Sequence, residues 1–156
     1  MPRTASRSSW SGGSEVTPDD ERFLRRAVAL AQASRDGGQA PYGSLLVGPD
    51  GRVLAEDHNT VLADNDISAH PEQKLARWAA RELDRATAAA TTMFTSCQPC
   101  PMCTGAIDRS GLGRVVYALS AAQFAERYPA SVAPPVPQEG PFLFDEAVAV
   151  LDGHER

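Results

Sequence analysis

Four side chains combine residue types and spacings that ask for one explanation: His70, Glu72 two positions later, and the cysteines of Pro99-Cys100-Pro101-Met102-Cys103. Residues three apart on a helix share a face, so a helix over this segment presents both sulfurs to a single ion. Pro101 suits the first helical position, which sets the thiolates where unpaired N–H groups and the helix dipole favour negative charge. Two ligands leave a metal site incomplete. His70, at the predicted start of another helix, supplies a third if two helix N-termini converge across one end of a sheet. Three protein ligands leave zinc an open position, the arrangement of a catalytic rather than a structural site. Glu72 is too near His70 to lie elsewhere yet is free of the metal, so it can take a proton from water and deliver it to a departing nitrogen.

Other uses of these residues are less complete. A C-x-x-C pair can form a redox disulfide in thioredoxin-like folds, but that leaves His70 and Glu72 idle. Cys97, outside the pair, points away from it and reads as a small buried hydrophobe; ligation by Cys97 would close the fourth position and make the site structural.

The elements that must position these groups are legible in outline. Thr17-Pro18-Asp19-Asp20-Glu21 has a capping hydroxyl, a proline at the first helical position and acids at the positive dipole end. An apolar stripe from Phe23 to about Ala33 then carries a helix that Gly37 and Gly38 stop. Ser44–Val47 and Arg52–Ala55 read as strands joined by a Gly48-Pro49-Asp50-Gly51 turn. After a polar loop with Asn59, a helix is expected from His70-Pro71 to about Leu83. A buried strand over Thr92–Thr95, a helix over Cys100–Arg109 and a strand over Arg114–Ala118 follow, with Trp78 and Phe94 read as core aromatics. The loop Pro129–Pro141 leads to a terminal helix over Phe142–Leu151. Alternating strands and helices after an opening hairpin favour an α/β layer fold whose sheet is parallel in its second half.

The 156 residues allow one domain, with residues 1–16, rich in Ser, Gly and Arg, as a disordered tail before a domain over 17–156. Hydrophobic residues at 42% and charged residues at 22% describe a globular chain. A net charge of -5 with one lysine, Lys74, disfavours a nucleic-acid partner, which needs a basic footprint. No apolar run approaches a membrane span and Met1–Gly13 lacks a secretory apolar stretch, so the expected location is the cytoplasm. Three clustered cysteines suit metal binding in a reducing compartment better than a disulfide framework.

His70-x-Glu72 followed by Pro99-Cys100-x-x-Cys103 resembles the signature of zinc nucleobase deaminases. From about Asp20 to Leu119 the chain is similar to the cytidine and deoxycytidylate deaminase superfamily, in the branch of guanine, cytosine and tRNA adenosine deaminases. The likeness includes the Asn59 loop, Thr95-Ser96-Cys97-Gln98-Pro99-Cys100-Pro101-Met102-Cys103 and Ala106-Ile107. It implies a three-layer α/β/α fold with a central mixed five-stranded sheet. It also implies one zinc per subunit on His70, Cys100 and Cys103, with Glu72 as proton shuttle and Asn59, Ala69 and Pro99 against the substrate. By the same likeness Phe142, in the terminal helix, either closes the pocket or simply packs. Relatives in this branch are commonly dimers, so a homodimer is expected. The chain departs from the family at Pro71, where a small residue is usual, at Gln98 for glutamate, at Ala76 for a larger aliphatic, and at Asp108 and Arg109 for apolar or aromatic residues. The acidic C-terminal part, with six acids against two arginines from Ala121 onward, favours a free base or base analogue over an RNA substrate. A tRNA adenosine deaminase and a zinc-stabilised binding module without catalysis are the alternatives.

Overall fold

The computed structural model describes residues 16–129 and 133–154. The expected tail over 1–16 lies outside them except for Val16, which is exposed. Helix α1 (Pro18–Asp36) opens with a complete capping box: the Thr17 hydroxyl accepts from the Asp20 N–H and the Asp20 carboxylate accepts from the Thr17 N–H. It runs three residues past the expected Ala33, and the turn out of it is made by Gly38 at φ 80°.

Strands β1 (Gly43–Val47) and β2 (Val53–His58) form the expected hairpin. Then come α2 (Val61–Asp64), α3 (Pro71–Glu82), α4 (Arg85–Ala89), β3 (Thr92–Cys97), α5 (Pro101–Ser110), β4 (Arg114–Leu119), α6 (Ala121–Arg127) and α7 (Phe144–Leu151). The sheet order is β2-β1-β3-β4, antiparallel at the first two pairings and parallel between β3 and β4. The sheet is mixed, as expected, but the described residues hold four strands and not five. The stretch in which a further strand would follow α6 contains Pro134, Pro135, Pro137 and Pro141, and proline removes the N–H that a ladder needs. The terminal helix starts two residues later than expected, at Phe144.

Successive residues of a strand face opposite sides, and the core divides accordingly. Leu46 and Met93 pack with Leu75, Ala76, Ala79 and Ile107 of α3 and α5, whereas Leu45, Val47, Phe94 and Val116 pack with Ala27 of α1. All five residues of β1 are buried because layers lie on both sides of it. Ala76 lies in the seam between α3 and the sheet at 1% exposure. At Gly43 a Cβ would lie 2.5 Å from the Ala31 nitrogen, so α1 is pressed directly on the start of β1. None of the described helices is long and apolar enough to cross a membrane.

One ion pair joins the two ends of this layer. Arg114 at the start of β4 donates from both terminal nitrogens to the two Asp20 oxygens, at 3.0 and 2.9 Å. These bonds, with those from Thr17, hold the buried Asp20 carboxyl down at about 2 despite its desolvation. A carboxyl whose folded pKa lies below its unfolded value of about 3.9 stabilises the fold above that value and stops doing so as pH falls through the folded one. The difference in unfolding free energy between wild type and Asp20→Asn is therefore expected to be about 2 kcal/mol at pH 6 and to narrow on approaching pH 2, read from urea transitions.

Candidate active site

The topology brings three chain segments to one end of the sheet. Because β1 runs against β3 and β4, its beginning lies beside their carboxyl ends. Tyr42 entering β1, Cys97-Gln98-Pro99 leaving β3 and Ser120-Ala121 leaving β4 therefore converge, and they wall a cavity of about 450 Å³ together with His70, Glu72, Cys100 and α6. Open α/β sheets bind their ligands in this crevice.

Two helices aim their first residues into it. His70 caps α3 with φ -78° and ψ 143°, and Cys100 caps α5 with φ -68° and ψ 166°. In both, the next residue is proline, whose ring disfavours helical backbone in the residue before it and suits the first helical turn. His70 and Cys100 are thus held extended at the helix mouths, and neither spends its side chain on a capping bond. Pro71 is buried in this junction.

His70 Nδ1 lies 3.7 Å from Cys100 Sγ and 3.5 Å from Cys103 Sγ. All three donor atoms are within 4.8 Å of one another. A tetrahedral zinc with bonds of about 2.0 Å to nitrogen and 2.3 Å to sulfur sets such atoms about 3.6 Å apart, so the donors fit that ion. The charge balance fits as well. Burial first, then the Glu72 carboxylate, pushes the Cys103 thiol above its ordinary range, and among the described residues no ion pair brings a lysine or arginine to this group. A cation among the donors supplies the missing positive charge.

Glu72 is 5% exposed. Its Oε1 accepts from the Thr95 hydroxyl at 2.7 Å, and the Ser44 hydroxyl stands 3.1 Å from Oε1 and 2.8 Å from Thr95 Oγ1. The other oxygen, Oε2, is 3.6 Å from Cys103 Sγ. One oxygen is fixed by hydroxyls of the sheet and the other faces the cluster of donors, a disposition that anchors a carboxylate and leaves it a proton-accepting edge.

Behind this group α3 is tied to the loop after β2. Lys74 Nζ donates to Asp57 Oδ1 at 2.8 Å, the His58 carbonyl at 2.9 Å and Thr60 Oγ1 at 3.0 Å, so all its protons are used. Asn59 in that loop is buried, and its side-chain oxygen accepts from the Val61 N–H at 3.1 Å. Neither Asn59 nor Ala69, also buried, is on the cavity wall, and Phe142 is 79% exposed; of the four expected substrate contacts Pro99 lines the cavity. Asp108 and Arg109 are exposed and off this wall.

Cys97 is only partly buried and lines the cavity, against the expectation of a buried hydrophobe, because β3 ends there and its last side chain emerges at the crevice. Tyr42 and the wall built by α6 carried no expectation from the sequence, and Gln98 was marked there only as a departure from the family's glutamate. Gln98 Oε1 accepts from the Ala121 N–H at 2.8 Å, and the Gln98 N–H donates to the Leu119 carbonyl, also at 2.8 Å; the two bonds seat the start of α6. The Phe124 ring of α6 lies 6.4 Å from that of Tyr42 and 5.3 Å from that of Tyr128. A signal for α6 was present: Ser120-x-x-Gln123 is a capping box, and the structure completes it.

The family model described as the cytidine and deoxycytidylate deaminase zinc-binding region matches residues 17–119. A guanine deaminase of Bacillus subtilis is 39% identical over 107 residues, covering 68% of each chain. A probable cytosine deaminase of Schizosaccharomyces pombe is 35% identical over 109 residues, covering 68% of this chain and 64% of its own length. A tRNA-specific adenosine deaminase of Buchnera aphidicola is 32% identical over 101 residues, covering 65% of this chain and 66% of its own. The matches thus span about two thirds of these relatives. The solved structure of the Bacillus subtilis guanine deaminase superposes with a TM-score of 0.62 at 30% identity, over 87% of this chain and 97% of that one.

The hydroxyl network under Glu72 has a measurable weight. Thr95→Val keeps the shape but removes the shortest bond to a buried carboxylate, and a charge-assisted bond of this kind is worth about 1.5–3 kcal/mol. Urea unfolding is expected to show a loss in that range for Thr95→Val and a smaller one for Ser44→Ala, since Thr95 remains to hold Glu72.

Proposed function

The chain belongs to the cytidine and deoxycytidylate deaminase zinc-binding family, an enzyme family acting on C–N bonds, and from that premise we propose that it hydrolytically deaminates a free nucleobase or base analogue, releasing ammonia. The observation that carries the reading is the buried Glu72 carboxylate, fixed at one oxygen by Thr95 and Ser44, sharing one cavity with His70 and Cys100 and turning its other oxygen to Cys103 of the same donor group.

His70, Cys100 and Cys103 would hold one zinc per subunit. Bound there, zinc would supply Lewis acidity that makes a nucleophile of water at neutral pH. Glu72 takes the water proton on its free oxygen and returns it to the exocyclic nitrogen as the C–N bond breaks, so one carboxylate serves as base and then as acid. Thr95 and Ser44, on the other oxygen, keep the carboxylate oriented. The helix mouths and the aromatic wall of Tyr42 and Phe124 exclude water from the ring and hold its plane. Among the described residues no lysine or arginine lines the cavity, which favours an uncharged ring over a phosphate-bearing nucleotide. The acidic first turn of α7, with Asp145 and Glu146, likewise disfavours an RNA backbone there.

We also propose a homodimer, with a second copy of the chain covering α7. Phe142, Leu143, Phe144, Val150 and Leu151 are all exposed, and α7 buries none of its residues against its own chain. An exposed apolar patch of this kind suits docking against a second copy. Light scattering on the purified protein is expected to return twice the 16.6 kDa of one chain; a monomer would remove the proposal.

Ammonia release by zinc-loaded protein, assayed against cytosine, guanine, adenine, their nucleosides, azapyrimidines, triazines and a tRNA anticodon stem-loop, tests the reaction. Release from a free base is expected, with Glu72→Gln lowering kcat by about 10²–10⁴-fold while zinc content is kept, and His70→Ala losing the zinc. Release from the stem-loop alone would make the chain a tRNA deaminase. Silence throughout, with zinc bound and indifferent to Glu72→Gln, would leave a binding module.

A further inference from the structure

The proposed reaction consumes Glu72 and the three donors, but it leaves unexplained a polar group on the same wall. Tyr42 sits where the chain enters β1, and its backbone is fixed on every side. Its N–H donates to the Ala40 carbonyl at 2.9 Å, and its carbonyl accepts from the Asn59 N–H at 3.0 Å. The next residue, Gly43, donates to Ser96 Oγ at 3.2 Å and is pressed against α1 so closely that no side chain fits. Such a backbone delivers its side chain to one place.

That place is the cavity. The ring rests on Phe124 at 6.4 Å between centroids and 49° between planes. A flat heterocycle sandwiched between two rings needs about 7 Å, so the pair forms one side of the cavity and does not clamp a substrate between its members. Among the described residues the Tyr42 hydroxyl has no hydrogen-bond partner, although the side chain is half-buried. Desolvation foremost, then the nearby Cys97 and the Glu72 carboxylate, pushes its ionisation up, so it stays a neutral O–H. On the cavity wall without a protein partner, the hydroxyl is free to donate to a ligand.

We propose that Tyr42 is a specificity-determining residue whose hydroxyl donates a hydrogen bond to a carbonyl oxygen on the substrate ring, selecting oxo-substituted amino heterocycles over those that carry no oxo group. The inference rests on the deaminase reading for the identity of the ligand but not for its own test. Glu72 and the donor cluster face the amino group and the carbon that bears it. Tyr42, on the wall of the same cavity and preceding β1, reads a different edge of the ring. A site built to donate to an oxygen discriminates against a ring lacking it, because the hydroxyl is then left buried and unpaired.

The experiment is equilibrium dialysis of cytosine, guanine and adenine against zinc-loaded Glu72→Gln protein, which holds a base without turning it over, with and without Tyr42→Phe. The expected result is that cytosine or guanine binds and that Tyr42→Phe weakens it about tenfold, while any binding of adenine changes less than twofold. Unchanged thermal unfolding and an unchanged visible spectrum of the cobalt-substituted protein show that fold and donor cluster are intact. Equal affinities with and without the hydroxyl, or equal losses for all three bases, overturn the proposal, as does failure of both oxo bases to bind. The two readings fail separately: Tyr42-dependent binding without ammonia release by the wild type sinks the deaminase reading alone, and release at an unaltered KM in Tyr42→Phe sinks the role of Tyr42 alone.

Discussion

The register of β1 against β3 is the constraint on which the site depends. Their antiparallel pairing sets Ser44 opposite Thr95 and Leu45 opposite Phe94. The first pair lies under Glu72, the second in the core beneath α1. A slip of β1 by one residue would turn its side chains to the wrong face, replacing the Ser44 hydroxyl by hydrocarbon under a buried carboxylate and placing that hydroxyl in the α1 core. Neither is affordable: an unsatisfied buried charge costs several kcal/mol, and apolar burial that stabilises the sheet would be lost with it. The packing that specifies the fold therefore also specifies where the carboxylate rests.

From that register the convergence of the helices follows. β3 delivers the chain to Cys100 and β1 receives it at Tyr42, at the same end, while α3 crosses behind with His70 at its mouth. The two helix starts are built alike, donor residue then proline, and the likeness is physical: proline biases the donor to extended backbone and begins the helix at no loss of a useful N–H. Thirty residues of sequence separate His70 from Cys100, yet the sulfur–nitrogen distance is 3.7 Å because both are fixed by elements anchored in one sheet.

Much of this was legible beforehand. The caps and prolines at Thr17, His70 and Cys100, the hairpin turn and the alternation of strand and helix are local signals, and they placed α1, β1, β2, α3, β3, α5 and β4 close to where they lie. The joint spacing of His70, Glu72, Cys100 and Cys103 identified the cluster before any geometry. What was not legible depends on contacts between distant segments. Cys97 differs from Cys100 by three positions, and only the strand's termination at the crevice decides that it faces the cavity. Tyr42 carries no local mark of function; its role follows from β1 running antiparallel. The fifth strand was carried over from the family, and the prolines after α6 argue against it locally. The short helices α2, α4 and α6 lack the length over which apolar periodicity becomes visible.

Lys74 is the only lysine in the sequence, and all three of its protons are taken by the end of β2 and the loop beyond it. The side chain is 19% exposed. The chain's one ε-amine is thus committed to a joint, whereas its basic surface is made of arginine. Amine-directed reagents, which ignore guanidinium groups, meet this nitrogen freely only when the joint between β2 and α3 opens. Acylation at that single atom would act as a clock for local opening beside the donor cluster, in a molecule that offers no other lysine to confuse the count.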